Sequence, residues 1–68
     1  MDYKALRAEI VKKGFTHAKL SAAIGISKAA FSKKINGKSE FTLGDIQQIV
    51  DVLGIESPVP IFFAGKVS

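Results

Sequence analysis

Ala29, Ser32, Lys33 and Asn36 are spaced by three and four residues, so at about 100° per residue they share one face of a helix. Each of these residue types has a partner on the edge of a base pair. Lysine donates to guanine O6 and N7, asparagine pairs through both ends of its amide with adenine, serine serves either role, and an alanine methyl packs on the thymine methyl. Lys28 flanks this face near the helix start, within reach of a base or a phosphate. A second group suits phosphate. Thr16 and His17 stand at a helix start, where unpaired N–H groups and the helix dipole favour an anion, and Lys19, Ser27 and Lys38 lie along the edges of the same region. His17 has no cysteine or nearby acid to complete a metal site, and no metal, cofactor or small-molecule substrate is expected.

These residues need short, well-punctuated helices to hold them. Asp2 caps a first helix carrying Tyr3, Leu6 and Ile10 inward and Lys12 and Lys13 in its last turn, with Gly14 beyond it. Thr16 caps a second helix of about two turns, with Leu20, Ala23 and Ile24 inward, and Gly25 ends it because glycine accepts the positive φ such a turn requires. Ile26 reads as a buried staple and Ser27 as the next cap. Phe31, Lys34 and Ile35 cluster on the inward side of a third helix, closed by Asn36-Gly37. Phe41 is expected in the core. Thr42 and Asp45 form a capping box for a fourth helix with the stripe Ile46, Ile49, Val50, Leu53, ended by Gly54. Pro58 and Pro60 restrict the tail, residues 55–68, to a single turn or an extended run. In that tail Ile61, Phe62 and Phe63 either plug the base of a core too small to close itself or form a dimer contact. The expected fold is all-α: one domain over residues 1–68, a compact bundle of four to five short helices, with a helix-turn-helix at about 16–37.

Charge supports a nucleic-acid surface. From Ile10 to Ser39 thirty residues hold seven lysines and no acid, whereas the remainder holds all the acids, so a net charge of +4 conceals a positive and a mildly negative part. Lysines also serve simply to solubilise helices, so the run needs the face on the third helix to give it a target. The apolar stretch Val59 to Gly65 is interrupted by Pro60 and too short to span a bilayer, and the start of the chain has no apolar signal core; the expected location is cytoplasmic.

The residues Leu6-Arg7, Gly14-Phe15-Thr16, Leu20-Ser21, Ile24-Gly25-Ile26-Ser27, Phe31-Ser32, Asn36-Gly37-Lys38 and Val52-Leu53-Gly54-Ile55 together resemble the Cro and repressor type of helix-turn-helix, the XRE-like group common in phages and prophages. The resemblance spans about Leu6 to Ile55. The stretch from Phe31 to Lys38, followed by Phe41-Thr42, is similar to small prophage Cro-like regulators. Two positions depart from the pattern: His17 stands where many members have glutamine, and Lys34 where an apolar residue is common. The resemblance implies a lambda repressor-like fold and a role in transcription regulation.

The function expected from residues and resemblance together is sequence-specific binding of double-stranded operator DNA by a transcriptional regulator, as a homodimer at least on DNA. An interaction module on the same fold, such as an antirepressor or antitoxin-like partner, is the alternative. It would use the acidic side around the fourth helix and the Ile61-Phe62-Phe63 tail. Catalysis is not expected: the acids are scattered, cysteine is absent, and the glycines sit mostly at helix ends rather than in a phosphate loop.

Overall fold

A computed structural model describes residues 1–63. Five helices follow one another: α1 (Tyr3–Lys12), α2 (His17–Ile24), α3 (Lys28–Ile35), α4 (Leu43–Leu53) and α5 (Val59–Phe62). Among the described residues there is no strand, and no helix is long and apolar enough to cross a membrane.

Helices of eight to eleven residues are marginal alone, so their ends carry much of the specification. The Asp2 carboxylate accepts from the Ala5 N–H at 3.0 Å, Thr16 Oγ1 from Lys19 at 3.1 Å, and Ser27 Oγ from Ala30 at 3.1 Å. Each cap contributes about 1 kcal/mol. At α4 the box is complete: Thr42 Oγ1 accepts from the Asp45 N–H and the Asp45 carboxylate accepts from the Thr42 N–H, both at 3.0 Å.

One core unites the elements. Leu6 and Ile10 of α1, Leu20 and Ile24 of α2, Phe31 and Ile35 of α3, and Ile49 and Leu53 of α4 are buried in it with Phe41, Ile55, Ile61 and Phe62. α2 packs on both α3 and α4, and α1 packs on α5. The N–H of Asp2 donates to the Ile61 carbonyl at 2.7 Å, tying the start of the chain to α5.

The structure differs from the periodicity in two places. Ala23 is exposed rather than inward, and Ser21 takes the buried place in α2, at 3% exposure. A serine fits there because its hydroxyl donates to the Ala18 carbonyl at 2.9 Å and so carries its own hydrogen bond into the core. Ile26 is half-buried, not fully buried. Ile61 and Phe62 lie in the protein's own core, and of the three tail residues only Phe63 keeps partial exposure.

α2 and α3 are joined by Gly25, Ile26 and Ser27, with Gly25 left-handed at φ 77° and its N–H bonded back to α2. A Cβ there would meet nothing within 4 Å, so substitution is penalised by backbone conformation alone. Gly25→Ala is expected to cost about 1 kcal/mol, lowering the Tm by about 4–8 °C. Gly25→Asn should cost less, because asparagine tolerates this conformation better. Thermal unfolding of the three proteins is the check; an alanine variant as stable as the parent would contradict a left-handed turn.

Candidate nucleic-acid interface

α3 is oriented by its buried side. Phe31 is 0% and Ile35 2% exposed, and a helix so anchored must turn the opposite face outward. Lys28, Ala29, Ser32, Lys33 and Asn36, the predicted base-facing residues, are all exposed. Ala29, Ser32 and Lys33 lie within α3, Lys28 begins it, and Asn36 is its C-cap.

The phosphate candidates fall into two kinds. Thr16 and Ser27 are N-caps whose oxygens accept from the backbone, leaving each hydroxyl hydrogen as a donor. Lys19 and Lys38 are exposed cations on α2 and just beyond α3. His17 is half-buried, with its ring edge-on to Phe31 at 5.3 Å, so its imidazole is part of the packing between α2 and α3. In the loop after α3 the N–H groups of Gly37, Lys38 and Ser39 donate to the carbonyls of Lys34, Lys33 and Lys33. Any anion contact there must come from side chains.

Two side chains from outside the expected helix-turn-helix segment hold α3 in place. Arg7, reaching from α1, donates through Nη2 to the Asn36 Oδ1 at 2.8 Å and to the Ile35 carbonyl at 3.4 Å, satisfying groups at the end of the helix. In the sequence Arg7 enters only with Leu6 in the resemblance to the Cro and repressor group; no spacing rule connects residues 7 and 36. Asp45 does double duty. Its Oδ2 accepts both the Thr42 N–H of the capping box and the Lys34 ammonium, with the two side chains of that ion pair 17% and 13% exposed. Lys34 is thereby explained at its inward position: it bridges α3 to the start of α4.

The ion pair also divides the basic run. Lys34 is neutralised by Asp45, and Lys12 and Lys13 line a depression with Glu9, Ile55, Glu56 and Ser57, where acids accompany them. Lys28, Lys33 and Lys38 remain exposed along α3 and its exit, and Lys19 on α2. Among the described residues no group of three His, Cys, Asp or Glu is arranged to hold a metal ion.

The profile of a family described as "Protein of unknown function (DUF739)" matches residues 1–65. The chain belongs to this family. Its description names no activity, so for this DUF739 protein function has to be argued from the exposed face of α3 and the charges around it. No curated protein and no solved structure matches the chain.

Burial works against ionisation of Asp45, but the hydrogen bonds from Lys34 and Thr42 and the Lys34 charge outweigh it, holding the carboxyl below its ordinary 3.8. A carboxyl that titrates lower when folded contributes stability above its unfolded value, and that contribution disappears as pH falls through the lowered one. Asp45→Asn should therefore be less stable than the parent at pH 7, with the difference in Tm shrinking as pH falls below 3.8. Melting curves for both proteins from pH 7 to about pH 2 test this, and a difference independent of pH would contradict it.

Proposed function

We propose that this protein is a sequence-specific DNA-binding transcriptional regulator of the Cro and repressor helix-turn-helix type, inserting α3 into the major groove of an operator. The observation that carries the reading is the exposed face Ala29, Ser32, Lys33 and Asn36, opposite the buried Phe31 and Ile35 and flanked by the exposed Lys28, inside a stretch with no acid. Eight residues make a helix about 12 Å long. With side chains it is about 10–12 Å across, matching a major groove about 12 Å wide. Thr16, Ser27, Lys19 and Lys38 border the face as donors to the phosphate backbone, and these fix register while the face reads bases.

A single copy of so short a helix reads only a few base pairs. Two copies on a two-fold operator, with recognition helices about 34 Å apart, double the contacts and explain how a small protein attains specificity. The resemblance to phage and prophage regulators points the same way.

A protein-interaction module remains the second reading because of one feature: a depression lined by Met1, Tyr3, Glu40, Phe41, Ile46, Phe62 and Phe63, with Leu43, 75% exposed, at its edge. Exposed apolar groups gathered in one place mark a contact surface. The two readings separate by variant. Leu43→Ser would abolish partner capture in the second and leave DNA affinity unchanged in the first, provided the dimer contact lies elsewhere.

Three measurements test the leading reading. Affinity for the operator should fall with salt by about 0.9 in log–log slope for each phosphate neutralised. Lys33→Ala should relax sequence preference, at a cost of about 1–3 kcal/mol, whereas Lys38→Ala should weaken all sequences alike. Selection from a random duplex pool should yield a palindromic consensus. Equal affinity for that consensus and for random duplex at physiological salt would overturn the proposal.

A further inference from the structure

The Asn36 amide is held at both ends. Arg7 Nη2 donates to Oδ1 at 2.8 Å, and Nδ2 donates to Ser32 Oγ at 3.4 Å. A guanidinium has donors only, so the amide must turn its oxygen toward Arg7. A second α1 side chain supports the same corner: the Tyr3 ring lies 3.6 Å from where a Cβ of Gly37 would stand, and Gly37 is left-handed at φ 78°. The geometry thus fixes which end of the amide faces α1.

What the corner still offers to a ligand is uneven. Asn36 keeps a second N–H on Nδ2, and Arg7 keeps the donors of Nε and Nη1, while Asn36, being neutral, leaves the Arg7 charge uncompensated in this contact. The Oδ1 atom is already polarised toward a cation and is a poorer second acceptor. Pairing with adenine requires that oxygen as an acceptor for the N6 amino group.

We infer that Arg7 and Asn36 act as one unit presenting hydrogen-bond donors only, with Arg7 the positioning residue that orients Asn36. The unit meets an acceptor on the duplex, either a backbone phosphate oxygen or the O6/N7 edge of guanine, and does not read adenine. This rests on the DNA-binding reading proposed above and narrows the role of Asn36 within it.

The test compares the wild type with Asn36→Ala, Arg7→Met, Arg7→Gln and the Arg7→Met/Asn36→Ala double variant, each by selection from a random duplex pool and by affinity measured across salt. Glutamine retains an amide donor for Oδ1 without the charge, so it separates orientation from electrostatics. With guanine as the acceptor, one G in the consensus is relaxed by both Asn36→Ala and Arg7→Met and retained by Arg7→Gln. With phosphate, the consensus is unchanged, affinity falls several-fold for all sequences, and the salt slope of Arg7→Met is smaller by about 0.9. In either case the double variant loses less than the product of the single losses. An adenine preference lost in Asn36→Ala, an Arg7→Met variant that binds like the wild type, or losses that multiply independently would overturn the inference while leaving DNA binding intact. A wild type that binds no duplex would overturn both.

Discussion

Phe31 is fully buried, with the His17 ring 5.3 Å away and the Phe41 ring 6.0 Å away, both edge-on, and a side chain gripped on two sides cannot turn without its helix. Burying it contributes about 1.5–3 kcal/mol, a large fraction of what a domain of this size has to spare. Its larger consequence is directional. Once Phe31 points inward, Ile35 one turn later must follow, and Ala29, Ser32 and Lys33 face outward. The exposed face of α3 is thus set by Phe31 and Ile35, which are themselves buried.

Much of this was legible because helix ends and stripes are local. Asp2, Thr16, Ser27 and Thr42 each stand just before a helix and act through a backbone N–H three residues on, and Gly25 and Gly54 end helices in the left-handed conformation. Such rules need only a window of a few residues. The illegible parts are the non-local ones. Arg7 finds Asn36 across 29 residues and Lys34 finds Asp45 across 11, and no spacing along the chain foretells either meeting. Ser21 is illegible for a different reason: a polar residue gives no signal of burial in the apolar pattern, yet a hydroxyl that bonds its own helix at the Ala18 carbonyl can be buried without an unsatisfied group. The tail was half legible. Pro58 and Pro60 announced a short element, and only the tertiary structure shows that Ile61 and Phe62 go into the core.

Asp45 organises one lysine of the basic run rather than merely balancing its charge. Asp45 sits at the start of α4, where the helix dipole favours a negative charge, and there it also receives Lys34. An exposed ion pair would contribute little, but here both side chains are largely covered and the carboxylate is further held by the capping box, so the geometry is shared by two elements. Removing Lys34 from the solvent-facing set leaves Lys33 on the outward side of α3 and Lys28 exposed in its first turn. A basic run that would attract any polyanion becomes a surface with a direction.

The same economy appears in the caps. Thr16 and Ser27 stabilise α2 and α3 by accepting hydrogen bonds from Lys19 and Ala30, and a hydroxyl that accepts through a lone pair still has its hydrogen to give. A phosphate arriving at either helix start would be met by that hydrogen without disturbing the cap, so folding and backbone contact draw on different ends of one group. An aspartate at either position would cap as well but would repel the phosphate, and an alanine would leave the helix start uncapped. Hydroxyl caps are therefore the choice under which this bundle is held together and remains open to an anion at the same positions.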